Sequence, residues 1–312
     1  MAISIPKVSI GLPVYNGEKY LQLALDSILQ QDYADFELII SDNASTDATQ
    51  DICRKYAAKD QRIRYYRNET NIGASGNYNQ LVRLARGEFF KWAAHDDIHL
   101  PGFLRRCFET MAQAPGTVVL VAPKTETVDE HGKTINIPVE SLDTRRPRPH
   151  QRVEDVLRRV FWATTQFGLF RTDALKKTRL IQPFFASDHV LLVEVALLGE
   201  IWELPETLFQ RRVHPGISTT ANKNWRELLV WFDPSQKGLK NFVPPTLRLG
   251  FEFIRAVTRL QLPFRDRFRC YLAVFMIWLP RECHRLFADY RNRIAIRTRV
   301  RKLFSGLPKE SL

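Results

Sequence analysis

The first 120 residues switch repeatedly between short apolar runs and helical stripes, and no other feature of the chain restricts its fold as much. Residues 8–12, 36–40, 63–66, 89–94 and 118–122 read as strands. Between them, 20–31 carries Leu21, Leu25, Ile28 and Leu29 on one helical face, and 46–58, 74–85 and 102–114 also read as helices. Ser45 or Thr46 stands where the second of these needs a cap. A parallel neighbour requires a long crossover, which a helix supplies. The pattern therefore predicts an α/β fold: a mostly parallel sheet with helices on both faces.

The rest of the chain is less regular. Residues 126–137 resemble a hairpin around Glu130-His131-Gly132, and 143–151, rich in Pro and Arg, reads as a loop. Short helices are expected over 153–161 and 172–178, and a longer one over 187–198. Strands are expected over 201–204 and 207–212, split by Pro205. From Lys223 onward the chain reads as helix broken at Pro244-Pro245, Pro263 and Pro280. This divides it into an α/β domain, 1–221, and a C-terminal helical extension, 222–312.

Charge follows the same division. The chain carries +12, and residues 248–302 hold 14 Lys/Arg against 4 Asp/Glu, a net of +10. Cys53, Cys107, Cys270 and Cys283 lie far apart with no CxxC pair, which argues against zinc and a disulfide framework and for a reducing compartment. The N-terminal residues lack a secretory pattern. The longest apolar run, 270–279, is about half of what a bilayer span needs. Cytoplasmic location is the expectation.

The chemistry gathers at the predicted strand ends. After the first strand comes Pro13-Val14-Tyr15-Asn16-Gly17; after the second, Asp42 to Asp47; after the third, Asn71-Ile72-Gly73; after the fourth, His95-Asp96-Asp97. If these strands run parallel, all four clusters share one rim, where open α/β sheets bind ligands. Adjacent carboxylates at the end of a buried strand repel and lose solvation, which fits cation binding. Taken alone, the same triplet also fits an acid-decorated helix start. The first loop has no GxGxxG and no Walker pattern, so a bound diphosphate would need another counter-charge. A divalent cation on Asp96 would serve, with Asp42 accepting from a base or ribose and Tyr15 stacking beside the base.

The stretches VSIGLPVYNGEKYLQLALDSILQQDY, FELIISDNASTDAT, NIGASGNYN and FFKWAAHDD occur in this order over residues 8–97, and ASDHVLLVEVALLGEIWELPETLFQRRVHPG follows up to Gly216. In these the chain resembles the family 2 glycosyltransferases of GT-A fold. The resemblance implies an inverting enzyme that uses a nucleoside-diphosphate sugar and Mn²⁺ or Mg²⁺. It places Pro13, Tyr15 and Asn16 in the first nucleotide loop, Asp42 at the base, and Asn71 and Gly73 near the ribose, with Asn77 and Asn79 as lesser candidates. It makes Asp96 the metal carboxylate of a DxD motif and Asp188 the catalytic base, and sets Arg211 and His214 by the diphosphate or metal. Where the family commonly has Asp two residues before the metal Asp, this chain has Ala94, and His95 or Asp97 is the candidate to compensate.

Other readings stand beside these. Asp188 also fits a helix cap, and His189 is a second candidate base. Trp92 and Trp162 fit sugar platforms, and Trp92 fits sheet core as well. Phe264, Phe268, Tyr271, Leu272, Phe275 and Trp278, mixed with arginines, fit an amphipathic helix on an anionic membrane through 262–302, or a plain solvated face. No nucleic-acid module is present. The expected function is sugar transfer to a glycan or glycolipid acceptor in cell-envelope assembly, at the inner face of the membrane. A catalytically impaired nucleotide-sugar binder and a membrane-surface protein with an α/β scaffold are the alternatives.

Overall fold

A computed structural model describes residues 5–217, 221–222, 225–237 and 245–280. The strands are β1 Val8–Val14, β2 Phe36–Asp42, β3 Ile63–Arg67, β4 Phe89–Trp92, β5 Ile98–His99, β6 Val118–Val128, β7 Leu169–Arg171 and β8 Glu200–Arg212. They form one sheet in the order β3-β2-β1-β4-β7-β6-β8-β5. The helices are α1 Leu21–Leu29, α2 Thr49–Ala57, α3 Gly73–Leu84, α4 Phe103–Gln113, α5 Pro149–Arg159, α6 Thr172–Lys176 and α7 Ser187–Leu198. The later ones are α8 Trp225–Phe232, α9 Pro245–Arg259 and α10 Phe264–Ala273, which runs on through a π-helical turn, Val274–Trp278.

β1 pairs in parallel with both β2 and β4, and β2 with β3, so four strand ends meet on one rim. β1 and β2 are buried along their whole length, as expected for strands covered on both faces. Successive side chains point to opposite faces and enter two separate cores. Leu38 and Ile40 pack with α1, α2 and α4, through Leu25, Cys53, Phe103 and Met111. Ile39, Phe90 and Trp92 pack on the other face with α3, α5 and α7. Phe253, Val257, Cys270 and Trp278 of the C-terminal helices belong to that same second core. Trp92 is fully buried, which leaves no sugar platform there.

The departures from the sequence reading have local causes. The short β7 inserts antiparallel between β4 and β6. Three residues offer too little periodicity to announce a strand. Pro205 does not split β8, because the ladder to β6 shifts register there, passing from Ala122↔Glu203 to Lys124↔Thr207. Such an irregularity accommodates a residue without an N–H. The 126–137 segment, by contrast, follows its reading as a short hairpin: Val128 bridges Thr134, and the Asp129 and Ile135 N–H groups donate to the Lys133 and Thr127 carbonyls, both at 2.9 Å. Neither Ser45 nor Thr46 caps α2; Asp47 Oδ1 accepts the Thr49 N–H at 3.0 Å instead. Pro245 opens α9 rather than ending a helix, since the first helical turn needs no proline N–H. Cys53, Cys107 and Cys270 are unpaired and buried, while Cys283 lies outside the described residues. Among the described residues no helix is long and apolar enough to cross a membrane.

Behind the rim lies a buried cation. Lys91 Nζ, on β4, donates to the Trp92 carbonyl at 2.9 Å and meets His99 Nε2 at 2.7 Å. Burial pushes the Lys91 ammonium down to about 7. Burial and the nearby Lys91 charge push His99 well below its ordinary value. Between pH 7 and 9 the unfolded lysine binds a proton that the folded one gives up, so stability rises with pH in that window. We expect the stability of the wild type relative to Lys91→Met to rise by about 2 kcal/mol across it in urea unfolding. The buried thiols of Cys53, Cys107 and Cys270, raised to about 12, work in the opposite direction from about pH 8.5, where unfolded cysteines begin to ionise, so the Lys91 contribution is read as the difference between the two proteins.

Candidate functional site

The rim opens into a cleft of about 1100 Å³. Pro13, Tyr15, Asn16, Asn71, Asp96 and Asp188 line it, as do His95, Asp97, Arg211 and His214. Asn77 and Trp162 line it too, whereas the candidates Asp42, Gly73, Asn79 and His189 do not.

The first two loops brace one another. Asn16 takes φ 52° and accepts the Thr46 N–H at 2.8 Å, while its own N–H donates to Ser45 Oγ at 2.9 Å. The Gly17 N–H donates to Thr49 Oγ1 at 2.8 Å. This leaves Tyr15 exposed at the cleft edge.

Asp42 is turned inward. It is fully buried; Oδ1 accepts the Ser45 N–H at 2.8 Å, and Oδ2 accepts from Tyr65 Oη at 2.8 Å and Arg67 at 2.5 Å. Burial acts to raise its pKa, but the bonds from Ser45, Tyr65 and Arg67 outweigh it and hold the carboxyl below its ordinary value. In this arrangement the carboxylate does not reach the cleft. Asn43, its neighbour, lines the cleft instead and donates to Asn71 Oδ1 at 2.9 Å. Gly73 stands at the start of α3 with φ 76°, where a Cβ would strike the carbonyl of Phe232, so its role is close packing of α8.

The acidic corner is tied to the end of β8. His214 Nε2 lies 3.0 Å from Asp96 Oδ2. The Arg212 N–H donates to Asp97 Oδ1 at 2.8 Å, and Arg212 Nε donates to the Asp96 carbonyl at 3.0 Å. The two carboxyls separate in character. Burial acts upward on Asp96, but the His95 and His214 charges and the His214 hydrogen bond bring it below its ordinary value. Burial and the adjacent Asp96 charge push Asp97 well up, against the pull of Arg211 and Arg212. Asp96 is the anion, and Asp97 accepts a structural bond.

Asp188 enters from the other wall, in the first turn of α7. It does not cap the helix; Oδ1 accepts the His189 N–H at 2.9 Å. Tyr78 and Trp231 are among the cleft residues that escaped the sequence reading. Tyr78 projects from α3 between Asn77, which bonds inward to Ser41, and Asn79, which pairs with the Ile181 backbone. Its helical spacing from Ala74 and Asn71 was the available signal. Burial and the charges of Asp96, Asp97 and Asp188 raise the Tyr78 phenol and keep it a neutral donor. Trp231 of α8 also lines the cleft, and nothing in its local sequence announces that.

The model of the family described as Glycosyl transferase family 2 matches residues 9–179, so the chain belongs to that family. An uncharacterized glycosyltransferase of Rickettsia felis is 32% identical over 135 residues, which is 43% of this chain and 22% of that one. Glycosyltransferase GlyG of Streptococcus pneumoniae is 30% identical over 113 residues, 36% of this chain and 38% of that one. The chain thus covers less than half of these relatives. The structure of Staphylococcus aureus TarS 1–349 with UDP-GlcNAc superposes with a TM-score of 0.62 at 19% identity, over 85% of this chain and 70% of that one. The Pyrobaculum calidifontis mannosyltransferase PcManGT, with GDP-Man and Mn²⁺, gives 0.55 at 18% identity, over 86% and 68%. These likenesses establish the GT-A fold, with a C-terminal helical part beside it.

The committed bonds of Asp42 give a stability test. Asp42→Asn takes the charge from a buried carboxylate that accepts from Ser45, Tyr65 and the part-exposed Arg67, and is expected to cost about 2 kcal/mol of unfolding free energy at pH 7 without any ligand. A lowered carboxylate pKa stabilises above the unfolded value and loses that contribution as pH falls through the folded one, so the wild-type advantage shrinks below about pH 4. An equal cost at pH 7 and pH 3 in chemical denaturation would contradict this.

Proposed function

We propose that the chain transfers a sugar from a nucleoside-diphosphate sugar to an acceptor hydroxyl, with inversion at the anomeric carbon. The observation that carries this reading is one cleft lined by both the Asp96–His214 pair and Asp188. Tyr15 and Asn71 face the nucleotide, Arg211 the diphosphate and Asp188 the acceptor. The acceptor oxygen attacks the anomeric carbon, the bond to the diphosphate breaks, and Asp188 takes the hydroxyl proton.

Among the described residues no group of three or more His, Cys, Asp or Glu is arranged to hold a metal ion unaided. An anionic carboxylate beside an imidazole nevertheless fits a cation whose remaining ligands are diphosphate and water, as is common for Mg²⁺ at phosphates. Asp96 and His214 would hold Mn²⁺ or Mg²⁺, which neutralises the diphosphate and stabilises the departing nucleotide. With Mn²⁺ present, one of UDP, GDP and dTDP should raise the melting temperature, and Asp96→Asn should abolish the effect. Equal shifts without metal would remove the proposed role of Asp96. Asp188→Asn should lower turnover by at least about 100-fold with nucleotide affinity retained; unchanged turnover would remove Asp188 as the base.

The acceptor we propose is a glycan or glycolipid of the cell envelope, met at the inner membrane face. Phe264, Phe268, Leu272, Phe275 and Met276 stand exposed along α10 and its π-turn, with Arg265 and Arg269 exposed among them. Apolar wedges flanked by cations suit an anionic bilayer surface. The part of this segment beyond 280 lies outside the described residues. Phe264→Ser/Phe268→Ser/Phe275→Ser should reduce sedimentation with phosphatidylglycerol vesicles about tenfold and leave melting unchanged; undiminished sedimentation would place the contact elsewhere.

A further inference from the structure

Arg211 and Trp162 form a built unit in the cleft wall. The Arg211 guanidinium lies 4.4 Å from the centroid of the Trp162 ring, and both side chains line the cleft. The ring is fixed from behind. Glu140, itself buried, accepts the Trp162 N–H at 3.1 Å on one oxygen and the Thr164 N–H at 2.5 Å on the other. The indole Nε1–H donates to the Pro138 carbonyl at 3.2 Å, and Ala163 turns the chain between them with φ 56°.

The contrast with the next residue is instructive. Arg212 places its donors on the carbonyls of Asp96, Asp129 and Glu130 and stacks on Tyr20, so the scaffold takes up its charge. The described residues give Arg211 a ring face but, at the buried Nη1, no hydrogen-bond acceptor. A guanidinium stacked on an indole keeps its N–H edges free, because the ring attracts the cation without consuming donors. It also loses side-chain freedom before any ligand arrives.

We propose that Trp162 is a positioning residue: it holds Arg211 as a preformed arm for the phosphate oxygens of a nucleoside diphosphate. This rests on the donor reading above and assigns Trp162 to the cation rather than to a sugar. Glu140 acts one step behind, by fixing the backbone on either side of Ala163.

The test is equilibrium binding of UDP, GDP and dTDP with Mn²⁺, following the tightest of the three. Trp162→Ala should weaken it roughly three- to tenfold, and Trp162→Phe, which keeps a ring face, should restore most of the loss. Leu23→Ala, at an exposed apolar side chain of α1 that does not line the cleft, should change nothing. Arg211→Ala should weaken binding further, and adding Trp162→Ala to it should cost nothing more. The inference falls if the Trp162→Ala loss persists in full without Arg211. It falls equally if only the sugar-bearing nucleotide is weakened, which would make Trp162 a sugar platform. Wild-type protein that binds none of the three nucleotides overturns the donor reading, and this inference with it; wild-type binding that Trp162→Ala leaves intact overturns this inference alone.

Discussion

Two neighbouring acids sit at the edge of a buried sheet, and the cleft is organised around how their charges are met. Full ionisation of both would place like charges side by side away from water. The fold divides them instead. Asp96 stays anionic against two histidines, and Asp97, pushed upward, accepts the Arg212 N–H. The same arginine donates to the Asp96 carbonyl and lays its guanidinium 5.0 Å from the Tyr20 ring, just ahead of α1. One residue of β8 thereby fixes the ends of three chain segments. Much of the rigidity of the acidic corner comes from Arg212, whose charge is then unavailable to a ligand.

The opposite wall is fixed by different means. Asp188 sits at the start of α7, a helix buried on nearly every side, as a core helix between α5 and α9 must be. Glu194 of α7 pairs with Arg179, which also pairs with Glu252 of α9. Ion pairs of this kind add little net stability after desolvation, but a misplaced partner leaves a charge uncompensated, so they specify how the helices seat. The helices beyond residue 245 thus help set where Asp188 stands relative to Asp96.

Much of this was legible in the sequence, for identifiable reasons. Alternation announced the parallel core because buried strands and amphipathic helices have different periods, and from parallel strands the shared rim followed. His214 and Asp96 are 118 residues apart and could be joined only by topology, yet both lay in stretches the family resemblance covered. Asp42 shows the limit. Its position at a strand end is right for a nucleotide contact, but its direction depends on Arg67 and Tyr65, two strand residues with no local sign that they turn toward it. Trp162 was read as a sugar platform, and its contact with Arg211 arises from a loop folded by Glu140, which no periodicity reveals.

Ala94 raises the question of what completes the acidic corner, and the geometry narrows the answer. His95 packs against the first loop so closely that a Cβ on Gly17 would lie 2.7 Å from its ring. Asp97 is tied to Arg212. The Asp97 bond is one that a metal would have to replace, and the packing of His95 against Gly17 restricts how its ring can turn. Asp96 and His214 remain, and they bond to each other across the corner that a cation would enter. Two protein groups leave most of an octahedral shell open, and Mg²⁺ or Mn²⁺ fills such positions with phosphate oxygens and water. A cation held so sparsely would bind weakly by itself and more tightly with a diphosphate. Linkage then requires the diphosphate to gain the same factor from the cation. Replacing the usual aspartate with Ala94 would therefore shift the site from one that stores a metal toward one that recruits metal and donor together.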